Sequence, residues 1–168
     1  LDYIIGGAKM AGQGWRMLMN CLSVGRAISL PASSTAGAKA MLRHTTAYTR
    51  IRKQFGMPIG RMEGIEEVIS RLVESAYLTE AGRSITASMV AGGEKPAVPS
   101  AVMKYQSTEY LRRSVNDAMD IHGGRAICDG PSNYLQGSYQ MVPVGITVEG
   151  ANILTRTLIT FAQGSLRC

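Results

Sequence analysis

Two glycine–proline breaks, Gly56 to Pro58 and Gly92-Gly93-Glu94-Lys95-Pro96, divide the middle of this chain into helix-length stretches. No stretch alternates polar and apolar residues long enough to make a convincing strand. The spacing predicts a helix over about Pro31 to Lys53, with Pro31 in its first turn and Ala36, Ala40, Ala47 and Ile51 on one face. A second helix is predicted from about Met62 to Val90, with Ile65, Ile69, Leu72, Val73 and Ala76 inward. Its Glu67 and Arg71 are paired four residues apart on the outer face. A third runs from about Pro99 to Ile121, with Leu111, Val115, Ala118 and Met119 inward, and Gly123 stops it.

The flanks are less regular. Residues 1–14 are glycine-rich and read as a connector, the tail of a preceding domain; the helical domain proper is 15–168. A short helix over Trp15 to Leu22 is interrupted near Gly25. After an irregular stretch from Gly123 to Gly130 come a short helix around Pro131 to Tyr139 and a connector containing Pro143 and Gly145. The last helix is expected from about Glu149 to Gln163, burying Ala151, Leu154, Leu158 and Phe161. The fold class is therefore all-α, an antiparallel four-helix bundle with short extra helices.

Composition narrows the function classes. Hydrophobic residues make up 45% and charged residues 18% of the 168, which suits a globular protein and not a disordered one. The net charge of +6 is scattered, with no basic run longer than Arg112-Arg113 and no interleaved aromatics, so nucleic acid is not an expected partner. Cys21, Cys128 and Cys168 have no metal-ligand spacing and are expected as reduced thiols in a cytosolic protein; no metal site is expected. The chain begins with Leu1 and has the look of a piece of something longer, without a signal peptide or a transmembrane run.

Three places could carry chemistry. Glu149 is a lone carboxylate after an apolar run (Val142, Val144, Ile146, Val148): either a first-turn acid complementing a helix dipole, or a general base whose proton affinity burial would raise. Arg50, Arg52 and Lys53 gather cations at a helix C-terminus, where they cap the dipole or bind phosphate. Asp120-Ile121-His122-Gly123-Gly124 follows a helix with two glycines, one explained by the cap and the second by a longer turn or the approach of a ligand. His44 and His122 read as core-edge histidines. Ser33-Ser34 has no nucleophile-elbow context.

Taken together, Arg52-Lys53-Gln54-Phe55-Gly56, Ile121-His122-Gly123-Gly124 and Val148-Glu149-Gly150 resemble the C-terminal helical domain of acyl-CoA dehydrogenases, in that family's order and separations. Leu22-Ser23-Val24-Gly25-Arg26 and the run Val148 to Arg156 look most like the large bacterial fatty-acyl-CoA dehydrogenases of β-oxidation.

The resemblance implies FAD as cofactor, fatty acyl-CoA as substrate and a trans-2-enoyl-CoA product. It also implies electron-transferring flavoprotein as acceptor and a homo-oligomer, a dimer or tetramer, in the cytoplasm or at the inner-membrane face of a bacterium. It places the α-proton-abstracting base on Glu149, with Gly150 beside it in the substrate site. Some relatives carry the base near the position of Gly25 instead. Arg52 matches the arginine that reaches the flavin pyrophosphate, commonly of a neighbouring subunit, with Gln54 and Phe55 as flavin contacts. Asp120, Gly123 and Gly124 match the adenine and pyrophosphate segment, and Arg26 the arginine that approaches CoA. Asp120 stands where many relatives have Gln, so its carboxylate must turn away from a pyrophosphate; Val148 replaces a Tyr, and Ala151 and Ile153 replace a hydroxyl and an amide. The isolated chain is expected to be inactive. The alternatives are an acyl-CoA oxidase, or a bundle kept for oligomerisation or binding.

Overall fold

The computed structural model describes residues 3–165, and their side chains except at positions 19, 23, 158 and 162–165. The expected burial of Leu158 and the thiol of Cys168 lie outside the described residues. Six helices follow in order: α1 Gly14–Ile51, α2 Glu63–Ala91, α3 Ala97–His122, α4 Gly124–Ile127, α5 Gln136–Thr147 and α6 Asn152–Ser165. Strands β1 Lys53–Gln54 and β2 Met57–Pro58 form a two-residue-deep antiparallel hairpin between α1 and α2. The α3 helix is the central element: α1 and α2 pack against it and each other, and α5 and α6 lie against it as well. The fold is the expected helical bundle.

The first helix departs from the sequence reading. It runs unbroken through Gly25 and past Pro31, which is buried in its interior rather than in a first turn. Proline has no N–H to give to the carbonyl four residues back, here that of Ala27. Thr86 of α2 supplies the missing donor, its Oγ1 lying 2.9 Å from Ala27 O. One helix thus satisfies a carbonyl that proline orphaned in another. Thr86→Val, which keeps the shape and removes the hydroxyl, is expected to cost about 1–3 kcal/mol by urea unfolding, because it leaves that buried carbonyl unpaired. An unchanged midpoint would mean that water takes over.

The buried faces are also more polar than an apolar stripe predicts. On α1 the buried positions include Ser34, Thr35, Ala38, Met41, Thr45 and Thr49, whereas Ala36, Ala47 and Ile51 face out. On α2 Val73 is exposed, and the inward row is Leu72, Ser75, Ala76 and Thr79. Small hydroxyl side chains let helices approach, and most bond back to their own helix: Thr79 to Ser75 O at 2.7 Å, Thr108 to Lys104 O at 2.8 Å. Close approach has a visible cost at two glycines. A Cβ on Gly37 would come within 2.6 Å of Leu111, and one on Gly82 would strike the Met103 sulfur. Met41, Leu72, Val115, Ala118, Ala126 and Leu135 form the apolar centre.

Ion pairs tie the helices at their rims. Glu80 of α2 receives Lys39 of α1 at 3.0 Å and its neighbour Arg83 at 2.5 Å. The Arg83 and Lys39 hydrogen bonds hold its carboxyl at about 2. Arg71 bonds Glu67, as its spacing predicts, and reaches Asp117 of α3 at 3.0 Å.

The C-terminal third corrects the element boundaries. The stretch expected as a connector, with Pro143 and Gly145, is the body of α5, and α6 begins only at Asn152. Ala151, Leu154 and Phe161 are exposed; the buried positions of α6 include Asn152 and Thr155. Glu149 therefore does not sit in a helix's first turn. It lies in the reversal between two helices.

Candidate active site

That reversal is built on strained backbone. Val148 leaves α5 extended, then Glu149 (φ 53) and Gly150 (φ 92) both take left-handed conformations before α6 starts. Glycine accepts this at little cost, whereas a glutamate there stores about 1–3 kcal/mol that the surroundings must hold. The half-buried Glu149 side chain points at α1. A Cβ built on Gly25 would lie 3.4 Å from Oε1, and Oε2 is buried with no hydrogen-bond partner. An ionisable oxygen left unpaired inside a protein is costly unless something is meant to meet it.

Two buried cations brace the turn. Arg26 of α1 is only 3% exposed, and its Nε donates to the Glu149 carbonyl at 2.6 Å. Burial lowers its pKa, and the Glu149 charge partly offsets that. Its guanidinium comes so near Gly150 that a Cβ there would be 2.6 Å from Nη2, so glycine is required by space as well as by φ. Lys104 of α3 is fully buried. Its Nζ donates to Ile146 O at 3.2 Å, Gly150 O at 2.8 Å and Asn152 Oδ1 at 2.7 Å. Asn152 in turn donates to Thr108 Oγ1 and Glu109 Oε1, at 3.0 and 2.9 Å, and Thr155 also donates to Gly150 O at 3.2 Å. Burial, with Arg26 nearby, brings the Lys104 ammonium down to about 8.

A second cluster occupies the far end of α1. His44, Tyr48 and Arg52 from α1 and its end, with Lys53, His122, Gly124, Arg125 and Tyr134, line an open cavity of about 930 Å³. Its wall is fixed by His122. Nδ1 must donate to the Ala118 carbonyl at 2.7 Å, so Nε2 accepts from the Tyr134 hydroxyl at 2.6 Å, and the ring stacks on Tyr48 at 4.1 Å. Burial lowers the His122 pKa further, which keeps that imidazole neutral. Among the described residues Arg52, Lys53 and Arg125 make no ion pair, which leaves three cations for a ligand anion.

The residues singled out in the sequence thus fall into two groups. Arg26, Glu149 and Gly150 meet in one cluster. Arg52 and Gly124 meet in the other, with Gln54 and Phe55 on the adjoining hairpin, whose tip Phe55 (φ 52) is 93% exposed. Gly123 (φ 58) ends α3 beside them. Asp120 is exposed and does not line the cavity. Lys104 and Asn152 escaped the sequence reading. The available signal was a lone lysine on the inward row of α3, four residues before Thr108 and eleven before Val115. Cys21 and Cys128 are free thiols, and among the described residues no metal-binding cluster and no helix long and apolar enough to cross a membrane is present.

The family model described as "Acyl-CoA dehydrogenase, C-terminal domain" matches residues 12–162. The chain belongs to the acyl-CoA dehydrogenase family. Curated relatives include the 3-(aryl)acrylate reductase of Clostridium sporogenes, 30% identical over 67% of this chain and 29% of that protein. Probable acyl-CoA dehydrogenase FadE10 of Mycobacterium tuberculosis is 28% identical over 88% of this chain and 24% of its own length. A shorter segment of 47 residues is 64% identical to "Protein HemX" of Proteus mirabilis, covering 28% of each chain. Among solved structures, an acyl-CoA dehydrogenase from Geobacillus kaustophilus superposes with a TM-score of 0.84 at 20% identity, over 90% of this chain and 39% of that one. A glutaryl-coenzyme A dehydrogenase in complex with glutaryl-CoA superposes with a TM-score of 0.76 at 26% identity, over 92% and 38%. This acyl-CoA dehydrogenase domain therefore spans roughly a quarter to two fifths of the relatives it matches.

Proposed function

We propose that this chain is the C-terminal domain of a FAD-dependent dehydrogenase that converts fatty acyl-CoA to trans-2-enoyl-CoA, with Glu149 as the base. The observation that carries the reading is the Glu149 carboxylate itself, with a buried unpaired oxygen on a strained turn facing the bare backbone of Gly25. A thioester α-proton is weakly acidic, so its base must be held close, shielded from water and ready to accept. Glu149 takes that proton. Gly25 leaves room for the Glu149 carboxylate against α1, and Arg26 fixes the main chain from behind. In this arrangement the Arg26 guanidinium is spent inside the protein, so it serves as a brace for the base beside the CoA thioester.

The residues present fit FAD. Arg52, Lys53 and Arg125 present unpaired cations to a cavity floored by Gly124, the donor set a pyrophosphate needs. FAD, when bound, accepts the β-hydrogen as hydride. Arg26 lies on the unbroken α1 and Arg52 caps its C-terminal end, 26 residues on, which a rise of 1.5 Å per residue makes roughly 39 Å. One dinucleotide cannot touch both. The base and the pyrophosphate cations of one chain then serve different cofactors, which supports a homo-oligomer sharing FAD between subunits.

The deciding experiment is Glu149→Gln in the full-length protein: lost turnover with FAD retained supports the reading, and unchanged turnover overturns it. A consequence concerns the fragment. Residues 1–168 purified alone should bind FAD weakly and reduce no acceptor with acyl-CoA, by fluorescence titration and dye reduction, because each of its two clusters is half a site. Oxygen consumption against electron transfer to a flavoprotein acceptor distinguishes dehydrogenase from oxidase.

A further inference from the structure

The fully buried Lys104 has no counterpart among the residues that the proposed chemistry requires, and everything it bonds belongs to the reversal carrying Glu149. We propose that Lys104 is a positioning residue for the base: its ammonium fixes the Glu149 turn through Ile146 O, Gly150 O and Asn152 Oδ1, and sets a positive charge behind the carboxylate. The inference rests on Glu149 being the base.

A merely structural brace could have been neutral. Burying an ammonium is expensive, and an apolar side chain of similar volume often does as well for stability. The choice of lysine makes sense for a turn that must otherwise relax. The three acceptors come from the last turn of α5, the strained Gly150 and the first residue of α6, so one group clamps both sides of the left-handed pair. Thr155 adds a second donor to Gly150 O, and Asn152 is held by Thr108 and Glu109, which leaves Lys104 little freedom.

The charges around it are few. Arg26 approaches from α1, Glu109 stands one turn along α3, and Glu149 lies on the reversal; the first repels the ammonium and the other two attract it. Glu109 also pairs with Arg112 at 3.5 Å, on the rim of α3. Removing Lys104 takes away one of the two buried cations that brace the Glu149 turn.

The test uses the full-length flavoprotein with a saturated acyl-CoA that the wild type oxidises and an artificial electron acceptor. Lys104→Met is expected to retain FAD and lower kcat by about 10- to 100-fold, with KM within about threefold. That split, kcat falling while KM and FAD are held, is what a misplaced base gives and a general loosening of the fold does not. Asn152→Ala removes one anchor and keeps the ammonium, so it should lower kcat less, again with KM held. Wild-type kcat in folded Lys104→Met overturns the inference, as does a fall in kcat matched by lost FAD or by a KM raised in proportion, which is what a structural brace alone would give. If Lys104→Met does not fold, Asn152→Ala decides: wild-type kcat there overturns the inference. Glu149→Gln run in parallel separates the two claims. Turnover surviving in that variant defeats the base assignment itself, whereas a silent Glu149→Gln beside an unimpaired Lys104→Met defeats only the role of the lysine.

Discussion

Glu149→Gln in the full-length protein is expected to lower kcat by about 10³-fold or more while FAD remains bound and KM for acyl-CoA changes little. The substitution is nearly isosteric, so it tests chemistry rather than packing. Arg26 bonds the main-chain carbonyl of residue 149, not its side chain, and Lys104 bonds the flanking residues; both braces survive. The left-handed backbone at 149 is no harder for glutamine than for glutamate. What is lost is a group able to accept a proton. Flavin absorbance on rapid mixing with acyl-CoA reads the first turnover directly: slow or absent bleaching with an unchanged oxidised spectrum is the expected result. Bleaching at the wild-type rate would remove Glu149 from the chemistry and leave the helix bundle as a binding or assembly module.

How far the sequence alone could go depended on which physical signal each feature leaves. Long helices bounded by Gly56, Gly92-Gly93 and Gly123 were legible because a stop residue is local chemistry. The faces of those helices were less so. Burial at Ser34, Thr35, Thr45 and Thr49 defeats a search for apolar stripes, because small hydroxyl side chains serve as core there; Thr49 bonds back to Thr46 O, while the Thr35 and Thr45 hydroxyls are buried without a partner. Pro31 misled for a related reason: its local rule marks a helix start, and the compensation that lets it sit inside α1 comes from Thr86, about sixty residues away in sequence. Pro143 likewise reads as a connector and lies within a helix.

The site shows the same division. Glu149 and Arg52 were legible through their place in ordered motifs, but the backbone at 149 was not, since a glutamate carries no local preference for positive φ. Lys104 left only a faint trace as a charged residue on an inward row, and two of its three partners are main-chain carbonyls more than forty residues on, which no side-chain pattern encodes. Nor could spacing show that Arg125 stands beside Arg52. The short α4 after Gly123 brings it to the cavity wall.

That juxtaposition sets up the second large effect. Replacing both Arg52 and Arg125 by alanine in the full-length protein is expected to weaken FAD binding by about 100- to 10,000-fold, since hydrogen bonds to a charged group contribute about 1.5–3 kcal/mol each. Both guanidiniums are exposed, so folding should be untouched and thermal melting of the apoprotein unchanged. Added salt should weaken wild-type FAD binding more than the variant's, because only the wild type presents those charges. The separation of the two clusters along α1 gives a sharper form of the same test. In oligomers mixed from Arg52→Ala/Arg125→Ala chains and Glu149→Gln chains, a subunit keeping Glu149 borrows the cations of a neighbour that kept Arg52, so activity should return above that of either variant alone. Were each chain to hold its own FAD through both clusters, every mixed subunit would lack one half of its site and mixing would restore nothing.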